Sequence, residues 1–172
     1  MKAVREKKDV GLDSVPNRAY VLYLLLCFII GIQGLACFGI RPYPRYSVNR
    51  KSVCLKRAID AYLGTPYKWG GQDRDGMDCS GLVVAVYREA LGISLPHSTQ
   101  KLFSMGRRVG KNWVRFGDLV FFSEEGGKAT HVGICLGGDR FVHSSTERGV
   151  TISSLDTPFF RERYVVTKRI GL

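Results

Sequence analysis

One cysteine and two histidines are the residues of this chain whose types and spacing could do chemistry. Cys79 sits in the run Asp78-Cys79-Ser80-Gly81, at the head of a helical pattern. Asp78 is a good N-cap. Val83, Val86, Tyr87 and Ala90 then recur at helical spacing, with Leu82 and Leu91 widening the apolar face. Gly92 suits the left-handed residue that ends a helix. Cys79 is thus placed in a first turn, where unpaired N–H groups and the positive end of the macrodipole favour an anion. A thiol there is expected to ionise below its free value of about 8.5.

The chain has three histidines, His97, His131 and His143. Residues 131–136 alternate, with His131, Gly133 and Cys135 on one face, and residues 140–145 read as the returning strand. A three-residue loop, 137–139, would set Gly133 opposite His143 and make His131 the diagonal neighbour of His143 on the same face. Diagonal Cβ atoms lie about 7–8 Å apart, within reach of an imidazole–imidazole hydrogen bond. A two-residue loop would put the histidines on opposite faces. Gly133 between them would leave the site uncrowded. A thiolate, a histidine that exchanges its proton and a second group that orients the histidine make a Cys–His–polar triad. A metal site is not expected, since no fourth ligand or outer carboxylate accompanies the cysteine and histidines.

The elements that must position these groups read as α+β. Leu55, Ala58, Ile59 and Tyr62 form a helical stripe closed by Gly64 and Pro66. Residues 65–71 form a rigid glycine-ended loop leading toward Cys79. Residues 95–105 open a short helix with Ser98 or Thr99 as cap. From Val114 the period changes: 119–122 is a continuous apolar strand, and 131–136, 140–145, 150–153 and 163–168 are further strands. Helices precede an antiparallel sheet, without βαβ alternation.

The whole chain bears a formal charge of +11, with 26 basic and 15 acidic residues. Lys and Arg are scattered without interleaved aromatics, which argues against a nucleic-acid partner and leaves an acidic polymer as the better match. The five cysteines form no CxxC pair, so no disulfide framework or zinc ribbon is expected; Cys54 and Cys135 could pair in an oxidising compartment, but both sit in apolar patterns and read as core residues. Residues 1–18 are polar and basic, and an apolar run of fourteen residues (19–32) follows. This reads as an export signal, with an uncleaved membrane anchor as its rival. Residues 1–40 are therefore assigned to a signal or anchor segment, 41–51 to a proline-containing tether and 52–172 to the folded domain. Leu35-Ala36-Cys37 is similar to a lipobox, which makes Cys37 a candidate for lipidation.

Pro66-Tyr67-Lys68-Trp69-Gly70-Gly71, Asp78-Cys79-Ser80-Gly81-Leu82, Leu95-Pro96, 117–122 (GDLVFF), His131-Val132-Gly133-Ile134 and His143-Ser144 together resemble the NlpC-type (NlpC/p-sixty) cell-wall cysteine peptidases. The resemblance spans roughly 52–168. It implies a papain-like α+β fold, with the cysteine helix packed on the sheet that carries the histidines. It implies cleavage of peptidoglycan stem peptides, at γ-D-glutamyl–diaminopimelate or at a cross-link to diaminopimelate. It further implies Cys79 as nucleophile, His131 as base then acid, and His143 as its orienting partner. Tyr67 would lie beside the thiol or the oxyanion, and Ser80 would contact substrate. His97 replaces the arginine common after Leu-Pro, and no catalytic role is expected for it. No cofactor is implied. A monomer in the cell envelope, held by a lipid or an apolar anchor, is expected. The alternatives are a peptidoglycan-binding lipoprotein that does not hydrolyse, and an amidase or acyltransferase on the same fold.

Overall fold

The computed structural model of the chain describes residues 50–124 and 126–171. The signal or anchor segment, Cys37 and tether residues 41–49 lie outside the described residues. Among the described residues no helix is long and apolar enough to cross a membrane.

Helix α1 (Arg50–Tyr62) buries Leu55, Ala58, Ile59 and Tyr62, the stripe expected from sequence. A short hairpin, β1 (Gln72–Asp73) and β2 (Gly76–Met77), leads into α2 (Cys79–Leu91). Asp78 caps α2 by accepting the Gly81 N–H, and Gly92 closes it in the left-handed conformation at φ 67°. The periodicity of α2 predicts one apolar face, yet Ser80 through Tyr87 are buried all round. The reason is its central position, with α1 on one side, the sheet on another and β1 against its first turns. At Gly81 an added Cβ would come within 2.0 Å of the Gly71 carbonyl, so the loop ahead of β1 packs directly on the first turn of α2. That contact fixes where the helix begins.

After α3 (Thr99–Ser104) come β3 (Arg107–Val109), a 3-10 turn (Lys111–Trp113), β4 (Leu119–Phe122), β5 (His131–Gly137), β6 (Arg140–Ser145), β7 (Gly149–Ser154), α4 (Pro158–Arg163) and β8 (Tyr164–Arg169). The six-stranded sheet runs β3-β8-β4-β5-β6-β7, antiparallel throughout. One face packs on α1 and α2 through Leu82, Val83, Tyr87, Phe121, Val132 and Ile134. The other face holds a smaller cluster of Val120, Phe122, Cys135 and Phe141, covered by Phe160 and Tyr164. Cys135 is a buried core thiol and Cys54 is half-buried; neither is in a disulfide.

A buried ion pair ties the ends of two strands. The Arg169 Nε and Nη2 donate to the two carboxylate oxygens of Asp118, each at 2.7 Å, and Asp118 also accepts the Arg115 N–H at 2.7 Å.

The β5–β6 hairpin corrects the expected loop. Gly137 pairs with Arg140, so the turn has two residues rather than three. The register nevertheless matches Ile134 with Val142 and Cys135 with Phe141, because β5 carries one extra residue between Cys135 and Gly137. Such a bulge opposes two residues to one. It restores the parity that a two-residue turn would have inverted, and the histidines keep a common face.

Gly133 is needed for a different neighbour than expected. A Cβ there would lie 2.6 Å from the Phe141 ring and 2.8 Å from the Val142 carbonyl oxygen. Gly133→Ala is expected to cost about 1–3 kcal/mol through overpacking. It should also displace Phe141, whose ring lies 5.0 Å from that of His143. Thermal unfolding of the variant checks this; an unchanged Tm would contradict the close approach.

Candidate active site

The two histidines meet. His131 Nε2 lies 2.9 Å from His143 Nδ1, and the rings cross at 85°. His143 Nε2 continues to Ser153 Oγ at 3.0 Å, a partner on β7 that sequence reasoning missed. Ser153 pairs with Phe141, two residues from His143, so only the β6–β7 register reveals it. Two proton arrangements satisfy this chain. In one, His131 Nε2–H donates to His143 Nδ1, and His143 Nε2–H donates to Ser153, which leaves His131 Nδ1 unprotonated.

Cys79 opens α2, with its sulfur 3.5 Å from Thr99 Oγ1 at the start of α3. The expected fall in the thiol pKa is not found. Withdrawal from water pushes Cys79 up. The Thr99 hydroxyl and the N–H groups of Val132 and Ser80 oppose that rise, and the Asp78 carboxylate adds to it. The cap that starts the helix is itself an anion, so it offsets the positive helix end at the thiol. The thiol thus feels the N–H of Val132, the residue after His131. Among the described residues no hydrogen bond joins Cys79 to His131 itself.

Asp78 is the hub of the helix start. Its carboxylate accepts from the N–H of Gly81 at 2.7 Å, Ser80 Oγ at 2.9 Å, the Gly70 N–H at 3.0 Å and His97 Nε2 at 3.0 Å. Burial alone would raise this carboxyl; those hydrogen bonds outweigh it and hold it below the usual range. Ser80 is buried with its hydroxyl engaged on Asp78. His97 therefore buttresses the cap rather than standing apart from it. Tyr67 bridges to Met77 of β2. Burial raises its phenol, and the charges of Cys79 and Asp78 raise it further. His131 and His143 are thus brought together, and Cys79 is tied to the start of α3.

An open cleft of about 460 Å³ exposes the cysteine, lined by Trp69, Asp78, Cys79, His97 and Thr99. Trp69 is 86% exposed at its rim. Among the described residues no three His, Cys, Asp or Glu side chains are grouped to hold a metal.

The sequence profile of the NlpC/P60 family matches residues 64–169. The chain belongs to the NlpC/P60 family. Its match to the protein of Escherichia coli (strain K12) called murein DD-endopeptidase MepS/murein LD-carboxypeptidase is 42% identical over 124 residues, 72% of this chain. The chain spans about 65% of the length of that relative. A probable endopeptidase of Haemophilus influenzae is 38% identical over 155 residues, covering 83% of this chain and 96% of that protein. The crystal structure of an NlpC/P60 family protein from Bacillus cereus superposes with a TM-score of 0.65 at 33% identity, over 69% of this chain and 39% of that one. The papain-like α+β fold expected from the sequence is the fold of this NlpC/P60 domain.

Burial also sets the charge of the histidine pair. It lowers His131 to about 4. It lowers His143 to about 3, aided by His131 and then by Arg148. Both are neutral near pH 7, whereas an unfolded histidine titrates near 6.5. Between about 6.5 and those lowered values the unfolded chain binds more protons, so stability falls as pH drops. Tm is expected to be level above about pH 7 and to decline from pH 6.5 toward pH 4. His143→Gln should flatten that decline, and a Tm constant down to pH 4 in the parent would contradict a buried neutral pair.

Proposed function

We propose that this protein is a cell-envelope cysteine endopeptidase that hydrolyses amide bonds in peptidoglycan stem peptides through a thioester on Cys79. The observation that carries the reading is the hydrogen-bonded chain His131–His143–Ser153, in a fold whose helix-start cysteine belongs to a helix packed against β5, the strand of His131. The names of the relatives support the substrate class, and the apolar run ahead of Cys37 supports delivery to the envelope, held there by a lipid or an apolar anchor.

In this reading the resting pair is a thiol and a neutral imidazole, since burial disfavours both charges. His131 Nδ1 takes the thiol proton as sulfur attacks the carbonyl carbon. His143, held by Ser153, orients His131 and shares the positive charge that develops on it. The Gly81 N–H is already taken by Asp78, so the N–H groups of Cys79 and Ser80 face the oxyanion, with the Tyr67 hydroxyl as a further donor. His131 gives its proton to the departing amine, and the C–N bond breaks. Water then adds to the thioester with His131 as base, releasing the carboxylic acid and the thiol. Ser80 acts by fixing Asp78 rather than by touching substrate.

The test is mass spectrometry of purified wall peptides incubated with the protein and with Cys79→Ala. New free amine and carboxyl ends from the first alone are expected, and the fragment masses name the bond. Exchange onto an added amine would mean acyl transfer, and no reaction by the folded, reduced protein would mean binding without hydrolysis.

A further inference from the structure

A second hollow, of about 380 Å³, lies beside the histidine pair. His131 and His143 line it, Cys79 does not, and Thr130 is common to it and to the Cys79 cleft. Acyl transfer separates its substrate in the same way. The acyl part must stay at the nucleophile, and the departing amine must lie at the group that protonates it. The hollow on the histidine side is therefore the place for the residue that leaves.

Its walls show what that residue must offer. Phe122, Phe159 and Phe160 form an apolar floor, and Phe159 stays 54% exposed, a shelf open to a ligand. The rim carries Glu124, Glu147, Arg148 and Arg163. Arg163 is committed within the protein: its guanidinium lies 4.0 Å from the centre of the Phe159 ring, and Nη1 donates to the Phe159 carbonyl at 3.1 Å. Among the described residues Arg148 has no hydrogen-bond or ion-pair partner. It stands in the β6–β7 turn, close enough to His143 to act on its charge. With two glutamates balancing two arginines, the rim has no bulk field. Recognition there falls to the uncommitted guanidinium, which suits a planar carboxylate.

We propose that this hollow is the leaving-group subsite and that Arg148 binds a carboxylate carried by the residue whose amine departs. The inference rests on the hydrolytic reading above. It makes Arg148 a specificity residue, acting through contact with the substrate.

The test uses the full chain and two synthetic peptides that differ only at the leaving residue, one with a free carboxylate and one with the carboxamide. The parent is expected to favour the carboxylate in kcat/KM by about tenfold or more, the usual worth of a charge-assisted hydrogen bond. Arg148→Ala should bring the ratio of the two substrates close to one, and Arg148→Lys should keep part of it. The ratio is read because loss of Arg148 also alters His143 and so lowers both rates. A parent with no preference, or an Arg148→Ala variant that keeps it, would overturn the inference and leave Cys79-dependent hydrolysis standing. Failure of the parent to cut either peptide would overturn the hydrolytic reading and the inference with it.

Discussion

Cys79→Ala is expected to reduce hydrolysis by about 10⁴-fold or more while leaving Tm within a few degrees of the parent. The size of the loss follows from the route, because without the sulfur no covalent intermediate forms and the remaining groups act only by binding and polarising the substrate. The stability follows from the place. Alanine is the best helix former, and the position is the first residue of α2. Its cap hydrogen bonds come from Asp78, which the substitution does not touch. Among the described residues the only side-chain hydrogen-bond partner lost is the Thr99 hydroxyl at 3.5 Å, a long contact. Rates on wall peptides and a melting curve check the two halves separately. Undiminished cleavage would remove Cys79 from the reaction. A large fall in Tm would show the thiol to be part of the packing instead.

Asp118→Ala is expected to be the most damaging change outside the site. Asp118 is fully buried, and the Arg169 side chain is 9% exposed, so removing the carboxylate leaves a guanidinium without its counter-charge and out of water. Breaking a buried pair from one side costs about 3–5 kcal/mol. For a domain of this size that corresponds to a fall in Tm of roughly 10 °C or more. The Arg115 N–H loses its acceptor at the same time. Removing both partners, as Asp118→Leu with Arg169→Met, should recover much of the loss, because the uncompensated charge goes too. A single variant that melts within about 3 °C of the parent would show that water already reaches the pair. Asp118 reads in the sequence as an ordinary turn residue after Gly117; only the pairing of β4 with β8 brings Arg169 to it.

That contrast describes how far the sequence can be read. The α1 stripe, the caps of α2 and α3 and the strands β4 to β8 follow from local periodicity and turn chemistry, which act within a few residues. Strand β3 was missed because Arg107 and Arg108 are exposed and only Val109 is buried, so a charged edge strand shows no alternation. Helix α4 was missed although Thr157 precedes Pro158 in a favourable N1 position; with no fully buried residue, it has no stripe to detect. At the site, the meeting of His131 and His143 was legible because it needed one hairpin register. The sign of the Cys79 shift was not, since it depends on how much water reaches the sulfur, and Ser153 and His97 entered through contacts between distant segments.

The extra residue in β5 has a consequence for how this part of the chain can change its length. Leu136 lies between Cys135, which pairs with Phe141, and Gly137, which pairs with Arg140. Without that one residue both pairs and the two-residue turn would remain, and the hairpin would be regular. Loss of one residue from the turn can be absorbed in the same way, by drawing the bulged residue into line. His143 would keep its side of the sheet in either case. The bulge is therefore slack stored in the hairpin, and the tip can shorten by one residue without disturbing the histidine pair.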